Sequence, residues 1–270
     1  MKVLFVGDVI GKPGRRVLAR LLPRLIDRHR ADYVVVNVEN AAGGFGVTAG
    51  VLAELDELPI DCYSSGNHIW DKKEVKDLLT QGGGRRGERP LLRPANYPEG
   101  NPGVGVHVGE TPAGIPVAVI NLQGRVFMDP LDDPFRFADG LLEDLADRHP
   151  DCKVVIVDFH AEATSEKQAI AFHLDGRVSA VLGTHTHVPT ADERVLPGGT
   201  ALITDVGMTG PYESIIGMRH DKVLHRFLLG TPTSFQVAKR DVRLAAAVVD
   251  VDEETGKARG VERLLMPEDD

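Results

Sequence analysis

The side chains of this chain that could bind metal ions are carboxylates, amides and imidazoles that follow predicted β-strands. Asp8 follows the first strand, Glu39-Asn40 follows the second and Asn67-His68 follows the third. Two later strands lead to His160 and to the segment Gly183-Thr184-His185-Thr186-His187. In open α/β sheets, ligands bind in the crevice beyond the carboxyl ends of the strands. Five strands that deliver such side chains to one edge therefore predict a site for more than one metal ion.

Glu39 is difficult to explain without a bound cation. It follows a β-branched strand, Tyr33–Val38, that we expect to be covered on both faces. A buried carboxylate must be paired or coordinated, because an ionised group is costly to leave unsatisfied. Its two oxygens can also bridge two cations. Asp8 alone is as well explained as a helix cap, and Pro13 excludes a phosphate-binding loop because that motif needs Ser or Thr there.

Asn67 and His68 supply an amide oxygen and an imidazole from adjacent positions. Side chains of neighbouring residues point apart in an extended backbone, so the two are not expected to bind the same ion. One of them is expected to bind metal, and the other is then available as an acid. A structural role is the alternative for an isolated Asn-His pair.

Two further pairs are spaced two residues apart. His185 and His187 would place both imidazoles on one side of an extended segment. Asp158 precedes His160 by the same spacing and is expected to orient that imidazole from outside the metal site. A single histidine is well explained by a structural role, whereas this many candidate ligands at strand ends favour metal binding.

The elements that must position these residues alternate between strand and helix in the first half of the chain. This alternation predicts parallel strands joined by right-handed crossovers. One predicted helix begins near Pro13. Further helices are predicted over Thr48–Leu55, Asp71–Leu79 and Phe135–Arg148. The predicted antiparallel strands of the tail are Ala201–Thr204, Val223–Leu228, Phe235–Ala238, Leu244–Val251 and Ala258–Leu265. A parallel half followed by a meander predicts an α/β fold with two packed sheets and outer helices, in one domain over residues 1–270.

Composition limits the classes of partner and the compartment. The chain has 270 residues, 42% of them hydrophobic, and a formal net charge of −9. This charge argues against a stable nucleic-acid complex, which needs a basic face. Two cysteines, Cys62 and Cys152, provide no disulfide framework, and no apolar run is long enough to span a membrane. We expect a cytoplasmic protein without a membrane partner, and a homo-oligomer remains open.

The segment Gln81–Arg89 contains four glycines and three arginines. It is interpreted either as a solvated loop or as a flap whose arginines reach a phosphate group. The sequence does not decide between the two.

The ordered set Gly7-Asp8, Glu39-Asn40, Gly66-Asn67-His68, His160 and Gly183-Thr184-His185-Thr186-His187 resembles the calcineurin-like metallophosphoesterase superfamily. Its pattern is most similar to the YmdB-like branch of bacterial cyclic-nucleotide phosphodiesterases. Ile10 stands where the broad superfamily has the histidine of Asp-x-His, and Glu39 replaces the usual bridging aspartate. The YmdB-like branch shares both changes. The resemblance implies a four-layer α/β/β/α sandwich.

The resemblance also implies a ligand set and a mechanism. Asp8, Glu39, Asn40 and His187 would hold one metal ion, and Glu39, Asn67, His160 and His185 would hold the other. A hydroxide between the two ions would attack phosphorus, and His68 would protonate the leaving oxygen as general acid. The mixed oxygen and nitrogen ligands suit iron or manganese, with zinc as the alternative.

Several functions are compatible with this pattern. The first is a di-metal phosphodiesterase whose small phosphorylated substrate is a 2′,3′-cyclic nucleotide. The second is a phosphomonoesterase or phosphoprotein phosphatase with the same site, and the motifs do not distinguish these substrates. The third is a regulatory metal-binding protein, against which His68 argues because metal binding alone does not need it. A structural zinc protein fits poorly, because such sites favour closed, cysteine-rich shells.

Overall fold

The computed structural model describes residues 1–81 and 89–269, and these residues form two β-sheets packed face to face. The strands of the first sheet are Lys2–Val6 (β1), Tyr33–Asn37 (β2), Cys62–Ser64 (β3), Gly210–Pro211 (β10), Val242–Val251 (β11) and Ala258–Pro267 (β12). Their order is β10-β11-β1-β2-β3, and β12 pairs with β11. Strands β1, β2 and β3 are parallel, so their carboxyl ends meet at one edge.

The second sheet has the order β4-β5-β6-β7-β9-β8. Its strands are Val106–Glu110 (β4), Pro116–Gln123 (β5), Val154–His160 (β6), Ala180–Thr184 (β7), Arg194–Val195 (β8) and Ala201–Ile203 (β9). The four central strands are parallel, and β4 and β8 pair antiparallel at the two edges. Every residue of β6 and β7 is buried, as expected for parallel strands covered on both faces.

Helices cover the outer faces of the two sheets. The helices of the described residues are Gly11–His29 (α1), Ala49–Leu55 (α2), Val75–Thr80 (α3), Pro134–Arg148 (α4), Thr164–His173 (α5) and His220–Leu229 (α6). In α1, the leucines at positions 18, 21, 22 and 25 recur at helical spacing and are buried against the first sheet. Thr48 caps the start of α2, because its hydroxyl accepts a hydrogen bond from the Val51 N–H at 3.3 Å.

Three apolar cores separate four layers. One core joins α1, α2 and α3 to the first sheet, and another joins α4 and α5 to the second sheet. Between them lies a core made by the facing sides of both sheets, which includes Phe5, Val35, Val119, Ile156 and Leu182. The predicted α/β/β/α sandwich is confirmed.

The tail of the chain differs from the predicted meander in three places. Residues 223–228 belong to α6, whose apolar Leu224, Phe227 and Leu228 are spaced for one helical face. Residues 235–238 make only an isolated bridge from Val237 to Met218. Strand β9 is parallel to β7, because it returns from a hairpin with the edge strand β8. The long antiparallel pair β11–β12 is confirmed.

The predicted helix Asp71–Leu79 is wrong at its start. Residues Asn67–Asp71 form a short 3₁₀ helix, and α3 begins only at Val75. The predicted Gly/Arg-rich loop falls on residues 82–88, outside the described residues. Within residues 1–81 and 89–269, no helix is long and apolar enough to cross a membrane.

Candidate metal centre

All seven predicted metal ligands lie together at the edge where the carboxyl ends of both sheets meet. Asp8, Glu39 and Asn67 follow β1, β2 and β3. His160 is the last residue of β6, and His185 directly follows β7. Asn40 and His187 are the remaining two, and they contact each other. Because the ligands come from both sheets, the face-to-face packing of the sheets assembles the cluster.

Three predicted ligand residues surround the imidazole of His160, which is itself a predicted ligand. Its Nε2 lies 2.9 Å from Asn67 Oδ1, 3.1 Å from Glu39 Oε2 and 3.0 Å from His185 Nδ1. Two oxygens and two nitrogens therefore face one small volume. The four residues are the set that the resemblance assigned to one ion.

A second group of ligands shares Glu39 with the first. Ligand atoms of Asp8, Glu39 and His187 lie within 4.8 Å of one another. The Asn40 amide nitrogen donates to Glu39 Oε1 at 2.9 Å and lies 3.1 Å from His187 Nε2. Glu39 thus directs one carboxylate oxygen to each group. Asn40 would have to turn its amide over to present an oxygen to a cation.

Two features of the site fit bound cations. Asp8 Oδ1 is buried and has no hydrogen-bond partner in the part of the chain that the structure describes. A buried carboxylate oxygen without a donor is costly, and a cation would satisfy it. At Gly66, an added Cβ would overlap His160 Nε2 and Glu39 Oε2, so glycine keeps open the space that these atoms face. The mixed oxygen and nitrogen donors therefore suit bound metal ions.

Burial and neighbouring charges set the protonation of the metal-free site. Burial raises the pKa of Asp8 to about 7, although His187 and His160 oppose this shift. Burial is the largest single influence on Glu39 and would raise its pKa. The charge and hydrogen bond of His160, together with His68 and His185, outweigh burial and lower the pKa to about 2. Burial, again the largest single influence, would lower the pKa of His160, but the carboxylates of Glu39, Asp8 and Asp158 together outweigh it and raise this pKa to about 9. A cation bound between His160 and Glu39 would replace the proton that holds this pair together.

His160 is oriented through a hydroxyl group. Its Nδ1 lies 2.9 Å from Thr184 Oγ1, which itself donates to Asp158 Oδ1 at 2.7 Å. The other Asp158 oxygen accepts from Asn37 at 2.9 Å and from Ser64 at 2.5 Å. The Thr184 hydroxyl donates its hydrogen bond to Asp158, so it can only accept one from the Nδ1–H of His160. The proton of His160 is then on Nδ1, and the lone pair of Nε2 is free to bind a cation. Asp158 therefore reaches His160 through the Thr184 hydroxyl and not by a direct hydrogen bond.

The segment that carries His185 and His187 is not extended, contrary to the prediction. Both residues have left-handed backbones, with φ of 99° and 67°. Their rings consequently reach different groups of ligands rather than one side of a strand. Asp205 supports this strained loop, since its carboxylate accepts from the Thr186 N–H at 3.1 Å and from the Thr186 hydroxyl at 2.7 Å.

A buried ion pair continues this support. Lys167 and Asp205 are both almost fully buried, and Lys167 Nζ lies 2.7 Å from Asp205 Oδ2. Burying a carboxylate is costly unless it is paired, and here the lysine and two donors of Thr186 satisfy it. The pair therefore fixes the loop between the two histidines.

His68 lies beside the cluster, and its side chain contacts a different set of groups from that of Asn67. In the 3₁₀ helix, residues three apart share a side, and His68 Nδ1 lies 3.0 Å from Asp71 Oδ2. The Phe45 ring packs edge-on against His68 with 5.0 Å between ring centroids. The expected divergence of Asn67 and His68 is present, but a 3₁₀ turn produces it rather than an extended backbone.

Sequence reasoning missed the residues that hold the ligands in place. The signal for Asp71 is its position three residues after His68, a spacing that brings two side chains together only where the segment is helical. For Thr184 and Asp205, no local sequence pattern indicates their role, since the residues that they contact are distant in sequence. No such pattern indicates Lys167 either, because its burial follows from tertiary packing alone.

Known proteins share this fold over nearly their full length. The chain is 47% identical over 269 residues to the 2′,3′-cyclic-nucleotide 2′-phosphodiesterase of Bacillus subtilis, covering 100% of this chain and 98% of that protein. A hypothetical protein from Thermus thermophilus superposes with a TM-score of 0.89 and 46% identity, covering 99% of both chains. A phosphatase from Mycoplasma pneumoniae superposes with a TM-score of 0.89 and 35% identity, covering 99% of this chain and 93% of that chain.

The fold and these relatives define a phosphoric ester hydrolase of the metallophosphoesterase type, a fold that implies bound metal ions. The family model described as YmdB-like protein matches residues 4–264. The chain belongs to this YmdB-like family, which confirms the resemblance seen in the sequence motifs.

Proposed function

We propose that this chain is a di-metal phosphodiesterase that opens 2′,3′-cyclic nucleotides. The observation that carries the proposal is the position of Glu39, whose two oxygens face two separate groups of ligands. Asp8, Glu39, Asn40 and His187 would hold one cation, and Glu39, Asn67, His160 and His185 would hold the other. Iron or manganese suits this donor set best, with zinc as the alternative. The name of the Bacillus relative supports the choice of substrate.

When bound, two cations in such a site supply a water of lowered pKa and offset the charge of the phosphoryl oxygens. The protein residues have separate tasks. Glu39 fixes the separation of the two groups, and Thr184 holds His160 with Nε2 towards the site. The left-handed loop directs His185 and His187 to different groups.

His68 would act as the general acid for the leaving ribose oxygen. Its Nδ1 is held by Asp71, so Nε2 is the nitrogen available to deliver a proton. The contact with Phe45 limits rotation of the ring. A positioned acid of this kind contributes about 10²–10⁴-fold to the rate. Its position beside the ligand Asn67 supports an enzyme over a regulatory metal-binding protein, which would not need this residue.

The test is a substrate panel with protein loaded with Mn²⁺ or Fe²⁺. We expect 2′,3′-cyclic AMP and bis(p-nitrophenyl) phosphate to be hydrolysed faster than 3′-AMP and p-nitrophenyl phosphate. Faster hydrolysis of the monoesters or of phosphopeptides would favour the phosphatase alternative. The absence of turnover with two ions bound would favour the regulatory alternative. Glu262→Gln, a substitution on β12 outside the proposed ligands, is the control for protein preparation and metal loading, and its rates should match those of the wild type.

A further inference from the structure

Glu162 contacts the outer side of a proposed metal ligand. It stands two residues after His160, between β6 and α5, and its Oε2 lies 3.1 Å from His185 Nε2. The opposite nitrogen of the same ring, Nδ1, is the one that faces His160 Nε2 at 3.0 Å. Glu162 therefore touches the imidazole on the side away from the proposed cation. Its side chain is 49% exposed, so it lies at the rim of the site.

We propose that Glu162 is a positioning residue that accepts the Nε2–H of His185 and so directs the Nδ1 lone pair to the cation. The proposal rests on the metal site of the proposed function. A histidine binds metal as a neutral imidazole, which carries one N–H, and the partner of one nitrogen decides which nitrogen is free to bind. A carboxylate in this position also raises the basicity of the ligand.

The other two imidazoles of the site are held in the same way. His160 Nδ1 is held by the Thr184 hydroxyl, and His187 Nδ1 lies 3.0 Å from the Ile216 carbonyl oxygen. Each ring thus has an acceptor on its outer nitrogen and turns its other nitrogen towards the site. Glu162 completes this arrangement for His185, the ring whose acceptor is a charged side chain.

The charge of Glu162 makes its position informative. A carboxylate at the rim of a site for a phosphate ester opposes the approach of an anion, because like charges repel. A carboxylate at this place therefore weakens substrate binding unless it has another role, and the hydrogen bond to His185 is such a role. It follows that an uncharged hydrogen-bond acceptor in place of the carboxylate should keep the metal affinity and strengthen binding of the anionic substrate.

The experiment compares Glu162→Ala, Glu162→Gln and the matched control Glu262→Ala. Glu262 also pairs with a histidine, His29, at 3.6 Å and is 62% exposed, but it lies on β12 away from the ligands. The affinities for Mn²⁺ and Zn²⁺ are measured by chelator competition. The ring N–H of His185 is followed by proton NMR in the Zn²⁺-loaded protein, and circular dichroism verifies the fold.

We expect Glu162→Ala to weaken binding of one of the two ions by about 10- to 100-fold, the usual cost of losing such a partner. It should also abolish the downfield, slowly exchanging N–H signal of His185. Glu162→Gln should restore most of the metal affinity through its amide oxygen and lower the KM for the anionic substrate. Glu262→Ala should leave all of these values unchanged.

Two results would overturn the proposal. The first is wild-type metal affinity and an unchanged His185 N–H signal in Glu162→Ala. The second is a Glu162→Gln variant that loses one ion as completely as Glu162→Ala, which would make Glu162 a ligand itself. Metal affinity and the N–H signal do not depend on turnover. A wrong substrate assignment would therefore leave this test intact.

Discussion

At the scale of single residues, Glu39 has the most consequential position in the site. It is fully buried, and its two oxygens contact different partners, Asn40 on one side and His160 on the other. Water cannot solvate the buried carboxylate of Glu39, so its negative charge must be balanced by a protonated histidine or by cations. The two groups of ligands share this residue, whereas each of the other ligands belongs to one group.

This difference predicts unequal metal losses in two variants. Glu39→Gln should lose both ions, because both proposed sites use its carboxylate. Asn40→Ala should weaken only the site that contains Asp8 and His187. Elemental analysis after dialysis measures the number of ions per chain. Equal losses in the two variants would contradict the bridging role of Glu39.

His68 allows catalysis to be separated from metal binding. His68→Ala should keep both ions and the fold while losing about 10²–10⁴-fold in kcat on 2′,3′-cyclic AMP, because the ribose oxygen leaves poorly without a proton. The loss should be smaller on bis(p-nitrophenyl) phosphate, whose leaving group needs little protonation. Steady-state rates with the metal content measured in parallel provide the test. A loss of metal that matches the loss of activity would make His68 a ligand.

At the scale of elements, the junction between β3 and the 3₁₀ helix lies in close contact with His160 and Glu39. Gly66 occupies this junction without a side chain, and Asn67 and His68 follow in the first turn. The same turn brings Asp71 beside His68. The 3₁₀ turn therefore brings a proposed ligand, the proposed acid and the partner of that acid together within five residues.

Gly66→Ala should remove metal binding with little effect on the sheets. The added Cβ would overlap His160 Nε2 and Glu39 Oε2, atoms that cannot move without disrupting both groups of ligands. Gly140→Ala is the matched control, because Gly140 lies inside α4 with open space around its Cβ position. That control should gain about 0.5–1 kcal/mol, as glycine is unfavourable within a helix. Metal content and urea unfolding of both variants provide the measurement. Normal metal binding by Gly66→Ala would refute this view of the junction.

At the scale of the whole molecule, the site joins two sheets that otherwise meet through an apolar core. Asp8, Glu39 and Asn67 come from the first sheet, whereas His160 and His185 come from the second. The polar network around Asp158 also crosses between the sheets, through Asn37 and Ser64 on one side and Thr184 on the other. Bound cations would therefore stabilise the native state of the whole sandwich, because the unfolded chain does not hold these ligands together.

This coupling predicts a pH-dependent effect of metal removal. Chelation should lower the Tm, and the difference between metal-loaded and metal-free protein should shrink as the pH falls from about 9 to below 7. Cations compete with the proton that His160 holds below its pKa of about 9 and with the one that Asp8 holds below its pKa of about 7. Calorimetry in buffers of different ionisation enthalpy should show proton release on metal binding. A Tm difference that is constant or grows on acidification would contradict this competition.

The sequence by itself determined the types of candidate ligand, their order and the strands that carry them. Apolar, β-branched runs that end in Asp8, Glu39 and His160 are local patterns, and strand ends can be predicted from them. The alternation of strands and helices likewise indicated the layered fold. These features depend on neighbouring residues, so a single sequence contains them.

Tertiary structure alone decided how the ligands are held. Asn67 meets a histidine 93 residues away, and the amide of His185 meets Asp8 across 177 residues. The left-handed backbone of the histidine loop also depends on contacts between distant parts of the chain, including the buried pair of Lys167 and Asp205, which lie 38 residues apart. No local pattern encodes such contacts, because they exist only once both sheets have packed. For the same reason, the 3₁₀ turn after β3 and the contact of Glu162 with His185 emerged only from the folded chain.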